Sequence, residues 1–404
     1  MNAAPRRQPG RRAPRVGVVG GGQLARMTYD ASVELGVDLL VLAQPGDEAV
    51  RGRVPDVTVV SELHLAALAE FSSRCDVLTF DHEKVSPQRI ARLEGAGHVV
   101  RPGAGALTFA VDKAAQRRHL RDLGVPVPPF VVAEDLAAVR RFAMAHGWPV
   151  VVKAARGGYD GRGVVVVDGP GALEESGRPF LRAPGAQVVV EPHLAIQREL
   201  AVLVARRADG AKAVYPVVET HQDGSAICRE VWAPAPIAAD LATAARDLAV
   251  GVADAIGAVG MLAVELFVVD GELVVNELAT RPHNTGHLTI DAAATSQFSN
   301  HLRAVLDLPL GPTALMAPAA AMANVIAEGT VDLGPLDARR VSALVGGPVA
   351  IHLYGKRSRP GRKVGHVTVM ADDLVTARER AREAARYLEC RSGGVAPSRV
   401  TVAS

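Results

Sequence analysis

Four short stretches carry residue types that could do chemistry. The first, Lys153-Ala154-Ala155-Arg156-Gly157-Gly158-Tyr159-Asp160-Gly161-Arg162-Gly163, lies between two valine-rich runs. Asp160-Gly161 alone would satisfy a tight hairpin, because only the two central residues need positive φ. Gly157, Gly158 and Gly163 exceed that need, and successive free N–H groups in such a loop form a concave site suited to a phosphate. Lys153, ending the preceding apolar run, adds a point charge for nucleotide phosphates. The second stretch sets Glu265 and Asn276-Glu277 on two apolar runs that meet at Asp270-Gly271. A three-residue loop with Gly271 in a bulge would oppose Glu265 to Glu277, a repulsion that a magnesium ion shared with nucleotide phosphates would relieve. A two-residue turn would instead pair Glu265 with Asn276 and send Glu277 to the other face. In the third, Arg281-Pro282-His283-Asn284-Thr285-Gly286-His287, two histidines four apart suggest zinc, but Asn284 replaces the glutamate a metalloprotease helix needs and Pro282 and Gly286 disfavour a helix. A small planar anion gripped by Arg281 suits the loop better. In the fourth, Lys356, Arg357, Arg359, Arg362 and Lys363 crowd a Pro360-Gly361 type II turn, a setting for a substrate phosphate or a merely solvated charged face.

Rigid elements must hold these groups. Residues 15–19 form an apolar run, Gly20-Gly21-Gly22 a turn, 23–35 a helical pattern and 37–43 a second apolar run, which is a βαβ opening. Gly20, Gly22 and Ala25 satisfy the loose pattern G-x-G-x-x-A, so an anion is expected at the helix start. NAD is discarded, because Ala43, Gln44 and Pro45 leave no carboxylate for a ribose. Further alternation (strands at 57–60, 76–80 and 98–101, helices at 64–72 and 87–96) predicts a small doubly wound sheet, with the polar cluster from Thr79 to Val85 at a strand tip. The domains are expected at 15–116, 117–190 and 191–404, after a disordered basic tail at 1–14. With 404 residues, 49% apolar content and a net charge of +2, nothing in the composition calls for nucleic acid, and no window approaches the ~18 apolar residues of a membrane helix. Cys75, Cys228 and Cys390 are too scattered for a metal set or a disulfide framework and fit a reducing cytoplasm.

In this order, Lys153, the glycine loop, Glu191 at a strand end and Glu265 with Asn276-Glu277 resemble the ATP-grasp superfamily. Gly20-Gly21-Gly22-Gln23-Leu24-Ala25-Arg26-Met27, the glycine loop, the Arg281–His287 loop, Ser296-Gln297-Phe298 with His301-Leu302-Arg303-Ala304, and Arg359-Pro360-Gly361-Arg362-Lys363 are similar more specifically to the N5-carboxyaminoimidazole ribonucleotide synthase family of purine biosynthesis, from Arg15 to about Met370. The resemblance implies an α/β and α+β chain with the ATP-grasp fold: an N-terminal Rossmann-like domain, a small lid domain and a larger C-terminal domain. It implies ATP-dependent carboxylation of 5-aminoimidazole ribonucleotide by bicarbonate through carboxyphosphate, with Mg²⁺ or Mn²⁺, in a cytoplasmic homodimer. On that pattern Lys113, Lys153, Gly158, Tyr159, Asp160, Gly161, Arg162 and Gly163 hold ATP phosphates. Glu191, Pro192, His193 and Leu194 meet the adenine, Glu199 meets the ribose, and His221 and Asn276 lie close by. Glu265 and Glu277 hold the metal. Arg281, His283 and Asn284 form the bicarbonate pocket, with Tyr159 and Asp160 beside it, and the proton acceptor is His283 or Asp160. The ribonucleotide lies among Gly22, Gln23, Leu24, Thr79, Glu83, Tyr159 and Arg162, its phosphate on Lys356, Arg362 and Lys363. Competing readings are a biotin or glycinamide ribonucleotide enzyme of the same superfamily, a nicotinamide oxidoreductase and a silent nucleotide-binding protein.

Overall fold

The computed structural model describes residues 12–157, 163–223, 227–330 and 338–392. Gly158, Tyr159, Asp160, Gly161 and Arg162, and residues 1–11, lie outside them. Three sheets carry the chain. The first is parallel, in the order β3-β2-β1-β4, from β1 (Arg15–Val19), β2 (Asp38–Ala43), β3 (Asp56–Val59) and β4 (Val77–Phe80). A parallel sheet covered on both faces needs near-continuous apolar runs, and Val16, Val18, Val19 and Leu39 to Ala43 are all buried. The fifth strand expected at 98–101 shrinks to one parallel bridge, Val100 to Leu78, closed by Leu78 N donating to Val99 O at 2.9 Å and Arg101 N donating to Leu78 O at 2.8 Å. Arg12, expected in a disordered tail, instead donates to both carboxylate oxygens of Asp76 at 3.0 and 2.7 Å.

The second sheet is small and antiparallel, in the order β5-β8-β6-β7: β5 (Val131–Ala133), β6 (Val150–Ala154), β7 (Val164–Val167) and β8 (Val188–Pro192). Its apolar face closes on the helix Leu136–His146, whose start is capped by Asp135 accepting from Ala138 N at 2.7 Å.

The third sheet runs β14-β13-β9-β11-β12-β15-β17-β16, with β10 added on β9. Its strands are β9 (Arg198–Arg206), β10 (Lys212–Val214), β11 (Val218–Gln222), β12 (Cys228–Ala233), β13 (Gly260–Val269), β14 (Glu272–Ala279), β15 (Ala319–Ile326), β16 (Ala350–Leu353) and β17 (Lys363–Ala371). The helix Ala239–Ile256 lays Ala245, Ala249 and Ala253 on this sheet and ends at Gly257 in the left-handed conformation. The pairing of β12 with β15 makes the C-terminal strands a continuation of the same sheet.

One helix ties the first sheet to the third. Gln297–Val305, capped by Ser296, buries Leu302 and Val305 among Val16, Val18 and Val77. His301 Nδ1 accepts from Met261 N at 3.1 Å, which leaves Nε2–H to donate to Thr79 Oγ1 at 2.9 Å. Thr79 is 1% exposed. It therefore joins the two sheets, and the substrate contact expected of its side chain is not available.

Candidate active site

The antiparallel register of β6 and β8 sets Val151 opposite Glu191 and Val152 opposite Val190, so Lys153 and Glu191 are diagonal neighbours on one face. Lys153 Nζ lies 2.7 Å from Glu191 Oε2. Glu191 Oε1 accepts from Arg117 Nε at 2.6 Å. Burial alone would raise the Glu191 carboxyl, but Arg117 and then Lys153 outweigh it and hold the group below its ordinary value. Lys153 is pushed down by burial more than Glu191 can restore. A buried ammonium in that condition gains from any further anion, and a triphosphate is one. Arg117 was not expected at the site. It stands one helical turn after Lys113, a spacing that puts both on the same face and could have revealed it.

Lys113 opens the helix Lys113–Asp122. Asp112 caps that helix by accepting from Ala115 N at 2.9 Å and also accepts from Arg156 Nε at 2.8 Å, while Lys113 N donates to Ala155 O at 2.8 Å. The helix start is thus pinned to the end of β6. Its Nζ contacts Glu277 Oε1.

The turn between β13 and β14 has two residues, Asp270 at φ 51° and Gly271 at φ 81°, with Val269 paired to Glu272. That is the turn expected to pair Glu265 with Asn276. Instead the register shifts between Glu265 and Leu266, Asn276 becomes the extra residue of a bulge, and Glu265 is directly opposite Glu277. Facing Cα atoms in such a ladder are about 5 Å apart. Asn276 Nδ2 donates to Glu265 Oε2 and its Oδ1 accepts from Lys153 Nζ, both at 3.3 Å. The amide therefore links the lysine side of the cleft to its acidic side.

Glu265 is pushed up to about 7, first by desolvation, then by the charges of Glu277 and Glu199. Two crowded carboxylates with a bridging amide, facing a cleft lined by lysines, are a hard oxygen donor set that fits Mg²⁺ or Mn²⁺. Glu199, on β9, is raised by burial and accepts from Gln222 Nε2 at 2.6 Å. His221 on β11 stacks on Trp232 with ring centroids 3.3 Å apart. Pro192 and Leu194 are half-buried and His193 is exposed, its N–H donating to Pro149 O at 3.1 Å.

The loop after β14 brings Arg281, His283 and Asn284 to the acid pair. His283 Nε2 is 3.5 Å from Glu265 Oε1, and its Nδ1 is 3.0 Å from Thr285 Oγ1. Burial, then Arg281 and Lys363, push its imidazole down to about 3, so it is neutral. Asn284 Nδ2 is buried beside the Cys228 thiol. Arg281 Nε lies 2.8 Å from Glu83 Oε1, which carries the tip of β4 into the site.

The N-terminal turn differs from the expectation of an anion at the helix start. The anion is the protein's own: Gly22 N donates to Asp81 Oδ2 at 2.6 Å and Gly21 N to Asp47 Oδ2 at 3.0 Å. Gly20 has φ 109°, and a Cβ there would stand 1.7 Å from Asp81 Oδ1. Leu24 packs with Met27, Phe298 and Tyr354, so only its backbone remains for a ligand. Gln23 Oε1 accepts from Lys356 Nζ, joining this turn to the basic one. There Arg362 N donates to Arg359 O at 3.0 Å, and Gly361 has φ 75°, as a type II turn requires. Glu48 accepts from Arg357 Nε at 2.7 Å and Arg362 NH1 at 2.8 Å, and these arginines, Arg357 first, hold its carboxyl down to about 2. Lys363 begins β17 beside them.

Family models match in the same order: a ribonucleotide synthetase preATP-grasp domain over 14–111, an ATP-grasp domain over 118–298, and a phosphoribosylaminoimidazole carboxylase C-terminal domain over 320–380. The chain is 47% identical over 380 residues to the N5-carboxyaminoimidazole ribonucleotide synthase of Mycobacterium bovis, covering 93% of this chain and 88% of that one. With the synthase of Synechococcus elongatus it shares 39% identity over 375 residues, 92% and 93% of the two chains. The synthetase structure from Thermus thermophilus matches with a TM-score of 0.80 at 36% identity, covering 92% of this chain and 98% of that one. The Aspergillus clavatus enzyme, solved in complex with ADP and 5-aminoimidazole ribonucleotide, matches with a TM-score of 0.83 at 29% identity, over 94% and 99%. With three family models in this order and curated synthases 47 and 39% identical over more than nine-tenths of its length, the chain belongs to the N5-carboxyaminoimidazole ribonucleotide synthase family.

Proposed function

We infer that this protein is a ligase that uses ATP and bicarbonate to carboxylate 5-aminoimidazole ribonucleotide, giving N5-carboxyaminoimidazole ribonucleotide, ADP and phosphate in purine biosynthesis. The observation that carries this reading is Asn276 spanning from Lys153 to Glu265, which draws the cationic and acidic halves of a nucleotide cleft onto one point. The Aspergillus clavatus relative, bound to ADP and the ribonucleotide, supports the substrate pair.

Bicarbonate is a weak nucleophile and the triphosphate it must attack is anionic, so the site has to cancel charge and align the attack. Lys113 and Lys153 take the phosphates, aided by Gly163 and by the loop residues Gly158 to Arg162. Glu265 and Glu277, with Asn276 beside them, would hold Mg²⁺ or Mn²⁺, which when bound neutralises phosphate oxygens. Arg281, braced by Glu83, grips bicarbonate, and the buried Asn284 amide supplies a further donor.

Attack on the γ-phosphorus forms carboxyphosphate and releases ADP. The substrate amine then attacks its carbonyl carbon and phosphate leaves. His283, neutral in the site, serves as a hydrogen-bonding partner for the carboxyl group, and the amine proton passes to His283 or Asp160. Carboxyphosphate hydrolyses readily, so the loop from Gly158 to Arg162 has to exclude water. Lys356, Arg362 and Lys363 hold the ribonucleotide phosphate, and Gln23 orients Lys356. The family resemblance further supports a homodimer working in the cytoplasm without nucleic acid; among the described residues no helix is long and apolar enough to cross a membrane.

ADP release measured with each substrate omitted in turn tests the reading. Fast release is expected only with bicarbonate and 5-aminoimidazole ribonucleotide together. Equal release when biotin or glycinamide ribonucleotide replaces the latter would overturn it.

A further inference from the structure

Behind the basic turn stands a cluster that the proposed reaction does not use. β16 and β17 are antiparallel with His352 directly opposite His366, so both imidazoles lie on one face, with ring centroids 4.7 Å apart and planes within 18°. Asp291, from the short helix Thr289–Ala292, reaches that face and places its two oxygens 2.9 and 3.2 Å from His352 Nε2. One ligand atom from each of the three residues lies within 4.8 Å of the others, and among the described residues this is the only such group of three. His366 is fully buried, and its Nδ1 is 2.9 Å from Tyr354 Oη. Its Nε2 is buried and has no hydrogen-bond partner. An imidazole nitrogen in that position costs free energy unless something accepts its lone pair.

We propose that Asp291, His352 and His366 form a binding site for a first-row divalent metal ion, Zn²⁺ by preference, distinct from the magnesium site at Glu265 and Glu277. Two imidazoles, which are borderline ligands, beside a single carboxylate favour zinc over magnesium. Ligand atoms held at about 2.1 Å around a tetrahedral ion stand about 3.4 Å from each other. The Asp291–His352 contact already has that scale, and the ligand atom of His366 stands within 4.8 Å of both. Tyr354 is the outer partner that fixes the His366 ring and tautomer, as the free nitrogen of a metal-bound histidine usually requires. Asp291 and His352 keep side-chain exposures of 21 and 28%, which leaves an approach for the ion and a fourth position for water. The ion would clamp the segment following the Arg281–His287 loop to the hairpin that carries residues 355–363.

The test uses the full chain, stripped with a chelator and titrated with Zn²⁺ against a chromophoric zinc indicator in excess Mg²⁺, with Co²⁺ as a spectroscopic substitute. One equivalent should bind, with a Co²⁺ visible spectrum of tetrahedral intensity and a raised thermal midpoint. His352→Ala and Asp291→Asn, both at partly exposed positions, should each weaken binding at least about 100-fold, since losing even an outer partner costs 10–100-fold. His146→Ala, exposed on the lid, should bind as the unaltered chain does, and the metal-free urea midpoints of the two site variants verify that they fold. Absence of uptake, or undiminished affinity in either site variant, would leave a bare Asp–His contact and overturn the proposal.

Discussion

Replacing Glu191 with glutamine probes the junction between the small sheet and the nucleotide cleft. Glu191 meets Arg117 at 2.6 Å and Lys153 at 2.7 Å, with side-chain exposures of only 4, 3 and 13% for the three residues. Glutamine keeps the shape and one acceptor oxygen but leaves two buried cations facing a neutral group. Breaking a buried pair by removing one partner costs about 3–5 kcal/mol, and the retained oxygen points to the lower end. The internal control is Glu174→Gln. Its Arg178 partner is 60% exposed and Glu174 itself 52%, so no more than about 1 kcal/mol is at stake. Urea unfolding followed by tryptophan fluorescence reads both, since Trp148 packs on the lid core and Trp232 in the C-terminal core. With a slope of about 1–3 kcal/mol per molar urea, Glu191→Gln should lower the lid midpoint by about 1–3 M. The pH dependence has a fixed sign. The Glu191 pKa is lower folded than unfolded, so its contribution is fully present above its ordinary value of about 4.5 and is lost as pH falls through the lowered value. The unaltered chain should therefore lose stability more steeply than the variant in that acid range. Equal midpoints for Glu191→Gln and Glu174→Gln would refute the reasoning.

Three further outcomes are expected. Glu265→Gln removes half of the acid pair and should raise the Mg²⁺ concentration giving half-maximal turnover by at least about tenfold, read from ADP release against Mg²⁺. Arg362→Ala should raise KM for 5-aminoimidazole ribonucleotide more than about tenfold with kcat nearly unchanged, because a phosphate remote from the reacting atoms contributes mainly uniform binding. Gly20→Ala meets both a positive φ and the Asp81 carboxylate, whereas Gly52→Ala meets a positive φ of 67° with no atom within 4 Å. Thermal midpoints should show Gly52→Ala costing about 1 kcal/mol and Gly20→Ala at least about 3.

Residues whose role follows from their place on one element were legible in the chain. Lys153 is at the site because it stands near the end of a strand that leads into a glycine loop, and the N-terminal sheet followed from its alternating apolar runs. The Glu265–Glu277 pair was also foreseen, but for the wrong cause: a two-residue turn forms, and the bulge at Asn276, which no local residue announces, restores the opposition. What escaped reading are contacts between residues far apart in sequence. Glu48 on the basic turn, Asp81 and Asp47 on the glycine turn, and Arg117 on Glu191 each satisfy a charge or an N–H whose partner only the assembled fold brings near. Thr79 and Leu24 illustrate the converse, since a polar strand tip and a motif leucine are taken up by packing before any ligand can reach their side chains.

The central claim is that the γ-phosphoryl group of ATP activates bicarbonate in the cleft between Lys153 and the Glu265–Glu277 pair. Turnover with ¹⁸O-labelled bicarbonate, unlabelled ATP and 5-aminoimidazole ribonucleotide tests it most directly, by mass analysis of the released phosphate. One ¹⁸O atom per phosphate is expected, carried over from the carboxyl oxygen that attacked phosphorus. Phosphate free of label, with product still formed, would contradict the account.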